Sequence, residues 1–385
     1  MIPRIASLLA LLAGLIPAAA LAQPEFHYSG GNSREGLTFT LTAEKPFAVP
    51  PSPWTGRTVA FSELGLEKAT GRTIPTFTRK IVARKKTFQF TMVGADPFVK
   101  KAKKTVIPVQ IIPIRFEFED GSVFDPTMPS LPCEGGETAL NLTLESPVFH
   151  DTSYGDGARQ FVEEFRRLEF WKHTGAPGAI NPGYSVRVSA DVLPTVRITL
   201  SGFPTRALPC GRVGFMEINI WNEVVKTLLP LFRSLGVTTQ TFPLFLFANV
   251  AMFDGDPSSC CILGYHSAVN SGGIQTYGVV NYDLTGSDVA ALSHEVAEWY
   301  DDPFVNNVTP AWGHTGQVAN GCQADLEVGD PLSGTFHEIL MPNGLTYHPQ
   351  ELAFFSWFFN QVPSLGFNGW YSSGGTFRKP ADFCN

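Results

Sequence analysis

The sequence predicts an α/β or α+β fold built on a mixed sheet. Segments rich in β-branched and aromatic residues alternate along the chain with segments whose apolar residues recur at three and four. The 385 residues are 44% hydrophobic and only 16% charged, so material for a large core is present. An average soluble domain carries roughly 25% charged residues. Gly (36) and Pro (30) break the chain often without a G-X-Y period. Collagen, coiled-coil and disordered classes are thereby excluded. The length suits one large domain or two smaller ones.

The first element is a leader. Met1-Ile2-Pro3-Arg4 is a short positive start, residues 8–16 are apolar, and Ala20-Leu21-Ala22 is a small-x-small site before Gln23. That is the pattern of a secretory signal peptide over 1–22. The competing reading is a membrane anchor, but the run is too short to span comfortably and no other stretch of about 18 apolar residues exists. The mature chain is therefore expected to be secreted (extracellular or periplasmic) with no integral membrane span. Cys133, Cys210, Cys260, Cys261, Cys322 and Cys384 all follow the leader, and an even count in an exported chain predicts disulfides. Cys260 and Cys261 are expected to take separate partners, because a bond between neighbours strains the peptide joining them.

Residues 23–105 form a basic, β-rich N-terminal segment ahead of the main domain at 106–385. Within it, 23–75 is punctuated by Pro and Gly, and 88–93 reads as a strand. A second strand covers 106–118, ended by Asp120-Gly121. Between Arg79 and Lys104 stand nine basic residues and one acid, whereas 13 basic and 29 acidic residues follow residue 105. The basic stretch reads as a solvated strand edge guarded by Lys, as a removable arm packed on the acidic remainder, or as a patch for an anionic surface. The overall charge of −7 argues against nucleic acid as a partner.

Further along, 156–173 is helical, with Phe161, Phe165, Leu168 and Trp171 on one face. Residues 186–200 make one or two strands. A helix follows at 219–235, with Pro230 as a late kink. The apolar run at 242–253 is a buried strand, 276–282 is another strand, and 285–301 is a third helix. Beyond Pro303 come loops, short elements and a helix candidate at 350–359.

The third helix carries the chemistry. Ser287 or Thr285 suits its cap, Asp288 suits its positive end, and Pro303 stops it. Val289, Leu292, Val296 and Trp299 form an apolar stripe. His294 points away from that stripe, and Glu298 lies one turn along from it. Ala290, Ala291 and Ala297 leave room beside the pair. H-E-x-x-H uses this geometry in zinc hydrolases. Here H-E-x-x-E makes the second ligand a carboxylate, which zinc accepts, and Glu295 the base that takes a proton from metal-bound water. The same pattern also arises on ordinary surface helices with charges opposite a core stripe. For further ligands, Glu327 is the first candidate and Asp330 coordinates or orients a ligand. Asp325 and His314 are runners-up. His266, in the segment between the two strands before the helix, and His348, after Tyr347, either face the cleft and steady an oxyanion or make ordinary structural hydrogen bonds.

The run from Ala291 to Pro303 (A-L-S-H-E-V-A-E-W-Y-D-D-P), followed by Leu326-Glu327-Val328-Gly329-Asp330, resembles the S-H-E-x-A-E-x-x-x-D-P … E-[IV]-G-D pattern of zincin-like exported proteins related to the exordium/phosphate-induced family. Thr-Met-Val-Gly-Ala-Asp-Pro at 91–97, Ile-Pro-Ile-Arg-Phe-Glu-Phe at 112–118 and Cys260-Cys261 with Gly264-Tyr265-His266 are similar too. The likeness spans roughly 88–384. It implies a zincin-like mixed sheet, an edge strand over the cleft at 276–282, then the metal helix. It also implies metal roles for His294, Glu298 and Glu327 and a base role for Glu295. A ligand set of one His and two carboxylates nearly neutralises Zn²⁺, so bound water is less acidified and Glu295 has more to do.

The expectation is therefore an exported zinc-dependent metallopeptidase acting on a peptide or protein substrate. The alternatives are a non-catalytic cell-surface or cell-wall binding protein on the same scaffold, and a Ca²⁺ site, since carboxylates also suit a hard cation.

Overall fold

The computed structural model describes residues 41–43, 73–102, 104–129, 136–208, 211–283, 286–313, 322–382 and 384. The leader, Cys133, Cys210, Thr285 and His314 lie outside the described residues.

In chain order the main elements are β1 (Leu41–Ala43), β2 (Thr76–Ala83), β3 (Lys86–Val93), β4 (Thr105–Phe118), α1 (Phe161–Glu169), β5 (Val186–Val192), β6 (Val196–Leu200), β7 (Gly211–Glu217), α2 (Ile218–Leu231), β8 (Phe242–Ala248), β9 (Val250–Phe253), β10 (Gly264–Asn270), β11 (Ile274–Tyr282) and α3 (Ala290–Asp301). The fold is α+β. The central sheet runs β1-β6-β4-β8-β11-β10, with β5 on the first half of β4. β5, β6, β8 and β11 pair in parallel through β4 and β8, while β10 returns antiparallel beside β11.

Alternation along the strands sorts side chains between two cores. On β8, Phe242, Leu244, Leu246 and Ala248 face the core that holds α1 and α3, and Phe245 and Phe247 face the core under α2. β4 behaves alike: Ile107, Val109 and Ile111 go to the first, Ile112, Ile114 and Phe116 to the second. A strand covered on both faces has no solvent side, which is why 242–248 reads as an unbroken apolar run. α2 supplies Ile218, Trp221, Val224, Val225 and Leu228 at helical spacing to the second core. Phe242 stacks on Trp299 of α3, with ring centroids 3.9 Å apart. Gly278 of β11 leaves room for that contact, since a Cβ there would stand 2.9 Å from the Phe242 ring and 2.7 Å from Leu244.

The β2–β3 hairpin joins the α3 core through Phe77, Phe90, Met92 and Val93. Arg79 pairs with Asp96 at 2.8 Å, and Lys80, Arg84, Lys85, Lys86, Lys100, Lys101 and Lys104 are exposed.

Several expectations change. The edge strand is β10, not 276–282, because the antiparallel return places 264–270 outside β11. His266 therefore sits within a strand. The third helix starts at Ala290, after Val289, with no side-chain cap. Ser287 instead donates to the Asp283 carboxylate, and the Asp288 carboxylate accepts from the backbone and ring of His348. The helix candidate at 350–359 shortens to Phe355–Phe358. Cys260 and Cys261 are bonded to one another and not to separate partners. Cys322 pairs with Cys384.

Candidate metal centre

α3 is buried along its whole length, packed on β10, β11, β3 and α1. Val289, Leu292, Val296 and Trp299 enter the core as the periodicity predicts. Its last turn is anchored by Arg166 of α1. The guanidinium, 0% exposed, lies 2.6 Å from Asp301 and 3.0 Å from Glu169, and donates to the Tyr300 carbonyl at 2.6 Å. Burial raises the pKa of both acids above the usual range. The next residue, Asp302, closes the following loop by accepting from the backbone of Asn306 and Asn307, each at 2.9 Å.

On the opposite face, His294 Nε2 lies 2.9 Å from Glu298 Oε1, 3.7 Å from Asp330 Oδ1 and 4.0 Å from Glu295 Oε1. His294, Glu298 and Asp330 each bring a ligand atom within 4.8 Å of the others. The hydrogen-bond network sets the tautomer of His294. Gln350 Nε2 donates to the Gly329 carbonyl at 2.6 Å, so Gln350 Oε1 faces His294 Nδ1, at 3.0 Å, as an acceptor. Nδ1 thus carries the proton, and Nε2 presents a lone pair toward the carboxylates. Gly329 completes the cradle. Its N–H donates to Glu298 Oε1 at 2.9 Å, and a Cβ on it would stand 2.4 Å from His294 Nδ1.

Glu327 stands outside that compact group but belongs to its charge field. It is 1% exposed, and neither carboxylate oxygen has a hydrogen-bond partner. Burial pushes its pKa well up, and Glu298, Asp325, Asp302 and Asp330 add to the rise. Asp325 is raised to about 6, chiefly by burial and then by Asp330. Asp302 is raised to about 7 by burial. Asp330, whose second oxygen accepts from Gln323 at 2.8 Å, keeps 19% side-chain exposure and marks the side open to solvent.

His266 also reaches the helix. β10 turns Tyr265 into the α2 core and His266 toward α3, where Nδ1 lies 3.3 Å from Glu295 Oε2 and 3.9 Å from Glu298 Oε2. His266, Glu295 and Glu298 form a second group with ligand atoms within 4.8 Å. His348 instead pairs with Asp288, at 2.7 Å, before the helix begins. Tyr347 takes a hydrogen bond from Asn343 at 3.0 Å.

The structure thus brings His294, Glu295, Glu298 and Asp330 together, places Glu327 and Asp325 in their charge field, and adds His266. Sequence reasoning missed Gln350 and the space-making role of Gly329. Both act from distant loops, and no local spacing marks them.

Donor chemistry and charge suit a divalent cation: one imidazole lone pair, several buried carboxylates and an unsatisfied Glu327. Comparison with known protein families, with curated proteins and with solved structures finds no match, so what this centre does must be read from its own residues.

Proposed function

We propose that the chain is an exported zinc-dependent hydrolase, a metallopeptidase on a zincin-like scaffold. His294, Glu298, Glu327 and Asp330 hold the metal, and Glu295 is the general base. Glu327 carries this reading: a carboxyl group 1% exposed with no hydrogen-bond partner at either oxygen, among acids, is a costly arrangement unless a cation neutralises it. The lone pair held at His294 Nε2 favours zinc over calcium, which takes oxygen ligands. The Cys322–Cys384 and Cys260–Cys261 bonds agree with an oxidising compartment. Among the described residues no helix is long and apolar enough to cross a membrane.

Zinc, when bound, supplies a Lewis acid that polarises a carbonyl and acidifies water. Gln350 keeps the His294 ring from turning, so Nε2 stays directed at the site. Glu295, next to His294 and about 100° round the helix, brings Oε1 within 4.0 Å of that nitrogen. From there it takes a proton from water and passes it to the leaving amine. Both side chains are 0% exposed, which keeps bulk water from competing for that proton. Because the ligand carboxylates offset the metal's charge, Glu295 carries more of the activation.

Glu295→Gln tests the reading. The variant should keep metal at His294 and lose hydrolysis of an unfolded protein substrate by about 10²–10⁴-fold. If the zinc-loaded wild type cuts nothing across a broad peptide library, the non-catalytic binding protein replaces the peptidase.

A further inference from the structure

Glu298 is approached from two sides, each time by a histidine whose other nitrogen is committed elsewhere. On one side His294 gives Nδ1–H to Gln350. On the other, His266 Nε2 lies 2.9 Å from the Asp302 carbonyl oxygen. A carbonyl only accepts, so Nε2 carries the proton. With Nε2 so committed, Nδ1 is the ring nitrogen that faces the acids of α3. Nδ1 lies within hydrogen-bond reach of Glu295 Oε2, at 3.3 Å, and 3.9 Å from Glu298 Oε2, and the three ligand atoms lie within 4.8 Å of one another. All three side chains are 0% exposed.

The geometry points to a second cation position, bounded by His266 Nδ1, Glu295 Oε2 and Glu298 Oε2, with Glu298 shared between it and the His294 position. An imidazole nitrogen and two carboxylate oxygens gathered in a dry space are held together by a positive charge, a proton on Nδ1 or a cation, and the cation takes all three at once. Ligands held about 2.0–2.1 Å from a tetrahedral zinc stand about 3.3–3.4 Å apart; the His266–Glu295 pair has that separation at 3.3 Å, and Glu298 Oε2, at 3.9 Å from His266, closes by a few tenths of an ångström. One imidazole with two carboxylates suits a divalent transition ion such as Zn²⁺ or Mn²⁺ better than Ca²⁺. Glu298 spans the two positions, with Oε1 2.9 Å from His294 Nε2 and Oε2 toward His266. The inference rests on the reading above for the first position and refines it. An ion on the His266 side would tie Glu295 down by Oε2, leaving Oε1 on the His294 side to accept a proton.

The test is metal stoichiometry on the full mature chain, stripped and then dialysed against Zn²⁺. The wild type should hold two equivalents, and His266→Ala and His294→Ala one each. Loaded with Mn²⁺, the wild type should give the EPR spectrum of a spin-coupled pair, and either variant that of an isolated ion. One equivalent in the wild type, with an uncoupled Mn²⁺ spectrum, overturns the second position and leaves the first intact; a proton then holds His266 and Glu295 together. No bound metal at all in the wild type overturns the proposed function as well. Should His266→Ala fail to fold, wild-type stoichiometry and the coupled spectrum decide the matter.

Discussion

Gln350 Oε1 accepts the Nδ1 proton of His294 at 3.0 Å, across 56 residues of chain. That bond fixes which nitrogen of His294 faces the carboxylates. Because Gln350 Nε2 is itself held by the Gly329 carbonyl, the amide cannot flip without breaking both contacts. Replacing Gln350 by Leu should lower zinc affinity by about 10–100-fold, as loss of an outer-shell partner does. Competition with a chelating dye measures this. An unchanged affinity would remove Gln350 from the site.

Glu327 sets stability against function. In the metal-free protein its carboxyl group is buried beside other acids with no hydrogen-bond partner. Glu327→Gln removes the cost of burying or protonating that carboxylate among acids while keeping the shape. The metal-free variant should therefore melt higher than the metal-free wild type, by the equivalent of about 0.5–2 kcal/mol, yet bind zinc more weakly. Thermal scans with and without zinc read both effects. Lower stability in the metal-free variant would contradict the charge argument.

Arg166 predicts a purely structural loss. It is the cation buried between Asp301 and Glu169, so Arg166→Met strands two acids in the core. Breaking a buried ion pair from one side costs about 3–5 kcal/mol, and the urea midpoint should fall accordingly. Neutralising the acids too, with Glu169→Gln and Asp301→Asn, should recover part of it. No recovery would mean that Arg166 acts through packing on Phe170 and Tyr300, whose rings each lie 5.6 Å from it.

The cysteines offer a direct check. With Cys260 bonded to Cys261 and Cys322 to Cys384, thiol titration of the denatured, unreduced protein should leave these four unreactive. Peptide mapping that finds the Cys322 or Cys384 thiol free would refute the pairing.

The sequence by itself determined the elements with strong periodicity. The apolar run at 242–253 and the 3-and-4 stripe of α3 are readable because buried strands and an amphipathic helix each impose a spacing on neighbouring residues, although the single strand expected at 242–253 is divided into β8 and β9, which lie in two different sheets. The same spacing put His294, Glu295 and Glu298 on one side of the helix, since a helix holds i and i+4 together whatever surrounds it. Only the tertiary structure decided the rest. β10 became the edge strand through pairing with β11, and a strand's place in a sheet leaves no mark on its own sequence. His266, Gly329, Gln350 and Asp330 meet the helix from loops and strands tens of residues away. Contacts across such separations depend on how the chain closes, not on any local period.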